Sequence, residues 1–211
     1  MKVKICGITS LENALAAVEY GADALGFVFA ESKRRITSED ARKIIEKLPK
    51  DFLKIGVFVN EKKDNIEQII QKTGINMVQL HGDESPTDCA GFSVPVIKAL
   101  SIESSKNLVK AKEYECEYLL LDSPKGKYRG GNGIIFDWGA VAGQKVERKK
   151  VILAGGLTIE NVARAIQMLQ PYMVDVSSGV ESDGKKDKRK MKEFIDIAKG
   201  RKKIENLHNA R

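Results

Sequence analysis

At 211 residues with 42% hydrophobic side chains, the chain can bury one sizeable core and lies close to the lower limit, about 200 residues, at which a barrel of eight strands and helices closes. Its apolar runs are far shorter than the roughly 20 residues of a membrane span, and no charged-then-apolar signal pattern opens it, so a soluble, cytoplasmic protein with no membrane partner is expected. The net charge of +7 raises a nucleic-acid reading that must be judged by where the charge falls.

The first element is a short apolar strand ending in Cys6 and Gly7. Thr9-Ser10-Leu11-Glu12 follows with the spacing of a capping box in which Thr9 is the N-cap. Ala14, Leu15, Ala17 and Val18 recur at helical spacing, and Gly21 supplies a stop. Asp23 to Phe29 is a nearly continuous apolar run, as in a parallel strand covered on both faces. A loop carrying Ser32-Lys33-Arg34-Arg35 and a helix from about Thr37 to Lys47 come next. Further strand-like segments lie at 52–59, 77–81, 95–100, 118–122, 150–154 and 173–177, with helical patterns between most of them. Between Asp122 and Val151, Pro124, Gly126, Gly130, Gly131 and Gly133 make a long loop, uncommon unless functional, and Asp137-Trp138 opens only a short helix.

Eight strands in βα alternation predict an α/β fold, a single (β/α)8 TIM barrel of eight parallel strands with an outer ring of helices. The barrel would occupy residues 1–199, followed by a basic tail at 200–211. An open doubly wound sheet is the alternative, but Cys6-Gly7-Ile8-Thr9-Ser10 is not the G-x-G-x-x-G turn it would need.

Between Lys185 and Lys203, ten Lys or Arg stand against three acids, and elsewhere 26 meet 26. The whole excess therefore lies on the last helix and the tail. No aromatic side chains interleave with it for base stacking, so it reads as a solvated face, no nucleic-acid partner is predicted, and it says little about the field at a site elsewhere. Cys6, Cys89 and Cys116 are odd in number and far apart, which suggests neither a disulfide framework nor a zinc or other metal site.

In such a barrel the active site lies at the carboxyl ends of the strands, and three of those ends carry reactive residues, Cys6, His81 and Asp122. Cys6 alone reads as a small buried hydrophobe; beside two acid-base residues at the same rim it reads as a base. Period two places Lys4 on the Cys6 face, where its ammonium and the backbone amides after Cys6 would favour thiolate and draw the thiol toward neutrality. Lys4 reaching solvent, His81 as an ordinary rim histidine and Asp122 as a loop cap are the structural alternatives. Burial at the mouth would let Asp122 keep a proton to donate. Ala154-Gly155-Gly156-Leu157 and Ser177-Ser178-Gly179-Val180 close strands seven and eight, where barrels often hold a phosphate on backbone donors. Arg34, or its neighbour Arg35, suits a second anionic group on the ligand, a solvated basic loop being the other reading.

The segments "KICGIT", "GADALGFVF", "SKR", "VQLHG", "LLLD", "GGNG" followed by "FDW", "AGGL", "ENV", "VDVSSGVE" and "GKKD", in that order from Lys2 to about Lys199, resemble the phosphoribosylanthranilate isomerase family of tryptophan biosynthesis. The resemblance implies Cys6 as general base, Asp122 as general acid, Arg34 on the anthranilate carboxylate, and Gly155-Gly156 with Ser178-Gly179 on the phosphate. It also places Gln79, His81 and Asp175 in the substrate-binding site. The implied reaction is an Amadori rearrangement of a phosphorylated aminosugar that requires no cofactor and no metal. Gly131-Asn132-Gly133 departs from the family, which usually has a hydroxyl residue between the glycines. The rival enzyme reading is a related barrel isomerase of the histidine pathway, usually with two aspartates at the rim, against which Cys6 argues. A noncatalytic anion- or nucleic-acid-binding barrel is the reading from another class. Oligomeric state leaves no motif.

Overall fold

A computed structural model of the chain describes residues 1–102, 110–123, 138 and 149–202. Strands β1 (Lys2–Cys6), β2 (Ala24–Val28), β3 (Leu53–Phe58), β4 (Met77–Leu80), β5 (Val96–Ser101), β6 (Tyr118–Asp122), β7 (Lys150–Leu153) and β8 (Met173–Val176) pair in parallel in sequence order. β8 returns to β1, with Lys4 opposite Asp175 in the register, and closes the barrel. Helices α1 (Leu11–Tyr20), α2 (Ser38–Ile45), α3 (Lys63–Thr73), α4 (Val162–Leu169) and α5 (Lys188–Ala198) lie between or after the strands. A short antiparallel pair, β9 (Glu181–Ser182) with β10 (Lys185–Lys186), follows β8.

The period of two along each strand separates two apolar layers. Ala24, Ile55, Met77, Ile97, Leu120, Ile152 and Met173 fill the barrel interior, while Val3, Ile5, Leu25, Phe27, Val78 and Val174 face outward against the helices. That is why the strands read as nearly continuous apolar runs. On the inner face, Lys4 and Cys6, Gln79 and His81, and Asp175 break the apolar pattern toward the carboxyl ends.

Two local expectations, both in α1, are corrected. The N-cap of α1 is Ser10, whose side chain accepts from the Asn13 N–H, and not Thr9. Glu12 is thereby displaced from the reciprocal position and pairs with Lys188 instead. Leu15 is 44% exposed, because α1 lies on the barrel through Ala14, Ala16 and Ala17; alanines let the helix approach closely and leave the larger side chain on the flank. Between β4 and β5 the chain makes only a 3-10 turn, Thr87–Cys89, since Gly82, Pro86, Gly91 and Pro95 leave no run long enough for an α-helix. The glycine-rich stretch 124–133, Asp137 and residues 203–211 lie outside the described residues; Trp138 is buried. No helix among the described residues is long and apolar enough to cross a membrane.

The β4–β5 connection is held by a buried ion pair. Lys98 Nζ lies 2.5 Å from Glu84 Oε2 and also donates to the Gly82 carbonyl, while Glu84 accepts from the N–H groups of Asn60 and Gly82. Both side chains are almost fully buried. Glu84→Ala is therefore expected to cost about 3–5 kcal/mol, because it leaves an ammonium inside without its counter-charge. Urea unfolding of the two proteins measures this, and a loss below about 1 kcal/mol, typical of an exposed pair, would contradict it.

Candidate active site

At the carboxyl end of the barrel a polar layer replaces the apolar filling. Lys4 is wholly buried, so the solvent-reaching alternative is excluded. Its ammonium donates to Asp175 Oδ2 at 2.8 Å and to Gln79 Oε1 at 3.0 Å. Gln79 Nε2 lies 2.7 Å from His81 Nδ1, and His81 Nε2 lies 3.0 Å from Asp122 Oδ2. Asp122 Oδ1 accepts from the Ser123 N–H at 2.8 Å, so Asp122 caps its loop and also contacts His81. Lys4 interacts with the Cys6 sulfur as well. Hydrogen bonds thus run across the barrel from Lys4 on β1 through Gln79 on β4 and His81 to Asp122 on β6.

The thiol differs from the sequence expectation. Burial pushes Cys6 up and Asp175 adds to this; Lys4 and Lys186 pull it down but do not outweigh them, so it stands above its ordinary value. Asp175 has already claimed much of the Lys4 charge: burial alone would lower that ammonium, and Asp175 with Cys6 holds it up. The amides expected to meet the sulfur are also committed elsewhere, since the N–H groups of Gly7 and Ile8 both donate to the Gly26 carbonyl, at 2.9 and 3.0 Å. The sulfur is seated over Gly26, its register partner on β2. A Cβ there would come 2.7 Å from Sγ and 3.1 Å from Lys4 Cε, so only glycine leaves room for both.

Arg34 and Arg35 separate cleanly. Arg35 is exposed, whereas Arg34 turns over Gly7, whose φ of +80° and lack of a side chain allow the approach. The Arg34 guanidinium uses Nε and Nη2 on the two oxygens of Glu181, at 2.7 Å each. Lys186 joins them, with Nζ 2.6 Å from Glu181 Oε1 and 3.0 Å from the Ser177 carbonyl. Burial alone would raise the Glu181 carboxyl, but Arg34 and Lys186 together hold it below the usual range. Burial lowers the Lys186 ammonium despite Glu181. Not all of the basic excess is therefore a solvated face: Lys186 faces the site, while Lys188, Lys192, Lys199 and Lys202 are spent on Glu12, Asp196, Asp23 and Glu193. At the start of the tail, Arg201 donates to the Tyr20 carbonyl behind α1.

The β7 and β8 ends form a cradle. Gly155 and Gly156 both have positive φ, +80° and +65°, and their N–H groups enter none of the backbone hydrogen bonds among the described residues. Ser178 and Gly179 pack against this loop so closely that a Cβ on Gly179 would overlap the Leu157 carbonyl. Asn161 braces the loop by accepting from the Thr158 N–H and donating to the Gly156 carbonyl. Amides without a backbone partner among the described residues, in a tight glycine turn, suit the oxygens of a phosphate.

A thiol, a carboxylate, a bidentate arginine and an amide cradle thus stand together at one barrel mouth. The family model for N-(5'phosphoribosyl)anthranilate (PRA) isomerase matches residues 3–197. The chain belongs to that family. It is 54% identical over 200 residues to the N-(5'-phosphoribosyl)anthranilate isomerase of Bacillus cereus (strain B4264), covering 94% of this chain and 98% of that one. Among solved structures, the phosphoribosyl anthranilate isomerase of Thermotoga maritima superposes with a TM-score of 0.87 at 43% identity, over 95% of this chain and 99% of that one. A phosphoribosyl anthranilate isomerase in complex with reduced 1-(o-carboxyphenylamino)-1-deoxyribulose 5-phosphate superposes with a TM-score of 0.84 at 42% identity, again over 95% and 99%.

Sequence reasoning brought forward Cys6, Arg34, Gln79, His81, Asp122, Asp175 and the two small-residue loops, and the fold gathers them at one end. It missed Gly26, Glu181 and Lys186. Glu181 and Lys186 belong to the quoted segments "VDVSSGVE" and "GKKD", but nothing local shows that β9 and β10 fold back beside Ser177 and Arg34. Gly26 sits in an apolar strand without a turn signal, and a glycine inside a strand does hint at a close approach.

Proposed function

We propose that this phosphoribosylanthranilate isomerase works through Asp122 as the acid and Cys6 as the base. The enzyme serves tryptophan biosynthesis, and the substrate is a phosphorylated aminosugar. Asp122 Oδ1 accepts from the Ser123 N–H and Oδ2 lies 3.0 Å from His81 Nε2; a proton held on this carboxyl is delivered to the ribose ring oxygen. The anthranilate nitrogen lone pair moves into the C1′–N bond as the C1′–O bond breaks, which opens the ring to a cationic Schiff base. Cys6, as thiolate, takes the C2′ proton. The C2′–H electrons form the C1′=C2′ double bond and neutralise the nitrogen, and the enolamine tautomerises to the ketone. Substrate and product are isomers; Cys6 then releases its proton to solvent and Asp122 regains one, which restores both groups.

The supporting observation is the hydrogen-bonded chain from Lys4, whose charge bears on the Cys6 thiol, through Gln79 and His81 to Asp122, which places the thiol and the carboxyl on opposite sides of one mouth. In this reading the phosphate rests on Gly155, Gly156, Ser178 and Gly179, and Arg34, oriented by Glu181, presents its remaining N–H groups to the anthranilate carboxylate. Asp175 Oδ1, buried without a partner among the described residues, accepts from a substrate hydroxyl; left orphaned it would cost about 1–3 kcal/mol.

Turnover of freshly prepared N-(5'-phosphoribosyl)anthranilate, followed by loss of its fluorescence, tests the reading, and an inactive protein refutes it. The state of the base is checked separately. The thiolate ultraviolet absorbance of the free protein, taken as a difference from Cys6→Ser, is expected to rise with a midpoint above pH 9, because burial holds the thiol above its ordinary value of 9.0. A midpoint near neutrality would show that Lys4 and Lys186 overcome desolvation.

A further inference from the structure

We propose that Gln79, anchored by Lys4, is a positioning residue that sets the tautomer of His81, so that the imidazole gives a hydrogen bond to Asp122 and cannot take its proton. An ammonium has donors only, so the Gln79 atom 3.0 Å from Lys4 Nζ must be the amide oxygen. The other end of the amide is then the NH2 group, and it donates across 2.7 Å to His81 Nδ1. Nδ1 therefore carries a lone pair, the ring proton is on Nε2, and Nε2–H donates to Asp122 Oδ2 at 3.0 Å. Gln79 is 1% exposed, and turning its amide over would set its NH2 against the Lys4 ammonium. Lys4 is itself fixed by Asp175.

This inference rests on Asp122 being the acid and assigns a consequence to the geometry around it. With the opposite tautomer, the Nε2 lone pair would face Asp122 and compete with the ribose ring oxygen for the carboxyl proton. With the tautomer set by Gln79, His81 leaves that proton to the substrate and donates to the carboxylate that remains after transfer. Gln79 does not need to touch substrate for this.

The test is 15N-edited NMR of the substrate-free, histidine-labelled protein, read beside steady-state kinetics. The chain has two histidines, His81 and His208, and His81→Asn assigns the signals. In the wild type, Nδ1 is expected to resonate as the unprotonated nitrogen and Nε2 as the protonated one. Gln79→Glu keeps the shape but offers only acceptors, so it should draw the proton to Nδ1, reverse the pattern and lower kcat about 10²-fold with KM changed by less than about threefold. Gln79→Met, which neither donates nor accepts strongly, should give mixed tautomers and an intermediate kcat. A wild-type spectrum with the proton on Nδ1 overturns the proposal whatever the variants do. So does Gln79→Glu with the wild-type tautomer, or with a reversed one and unchanged kcat. If Asp122→Asn turns over normally while the wild-type tautomer is as stated, the acid assignment has failed and the catalytic part of this inference falls with it; the spectrum of the free protein keeps the two failures distinct.

Discussion

Cys6→Ser is expected to lose about 10³–10⁴-fold in kcat, equivalent to about 4–5.5 kcal/mol of transition-state stabilisation, while still binding reduced 1-(o-carboxyphenylamino)-1-deoxyribulose 5-phosphate within a few-fold of the wild type. The reason is acidity rather than shape. A serine hydroxyl is close in size to the thiol but far less acidic, and burial that already pushes the thiol up would penalise an alkoxide more. The contacts that seat the sulfur, Gly26 beneath it and Lys4 beside it, tolerate the smaller oxygen, so the fold should be kept. A variant that binds the analogue and retains near-normal turnover would make Cys6 only a small core residue, and the mechanism above would be wrong.

Asp122→Asn should lose about 10²–10⁴-fold in kcat for a different reason. An amide has no acidic proton for the ring oxygen. It also has a single oxygen with which to meet two donors, the Ser123 N–H and, in the tautomer proposed above, the His81 Nε2–H. One of them must face the amide NH2, which adds about 1–3 kcal/mol of destabilisation visible in urea unfolding. The pairing of a kinetic loss with a stability loss distinguishes this site from Cys6, whose serine variant is expected to unfold near the wild-type midpoint. Full activity in Asp122→Asn would move the acid elsewhere on the rim.

The sequence carried the architecture because a parallel barrel repeats one local pattern. Apolar runs covered on both faces, separated by capped helices, placed all eight strands to within a residue or two, and period two put Lys4 beside Cys6. It carried the reactive strand ends for the same reason: position along a strand is local information. Even so, the capping box at Thr9 was displaced by one residue, since Ser10 offers an equivalent hydroxyl and docking of α1 through its alanines decided between them. The 82–95 connection makes only a 3-10 turn because its prolines and glycines outweigh βα periodicity.

What only the tertiary structure decided is which group stands opposite which. Closure of β8 onto β1 gives Lys4 to Asp175, and β4 brings Gln79 to the same ammonium; no spacing within β1 records either partner. The sign of the shift at Cys6 follows from this, because desolvation is set by all the strands around the mouth, and a counter-charge already claimed by Asp175 no longer offsets it. The choice of Arg34 over Arg35, and the turning of Lys186 from a basic segment into the site, depend on β9 and β10 returning over the β1 and β2 ends. By itself the sequence determined the barrel and the chemical types at its rim, because those are written in local periodicity. The charge state of the site and the hydrogen-bond direction within it were decided by burial and by contacts between residues as much as 171 positions apart, which only the closed barrel brings together.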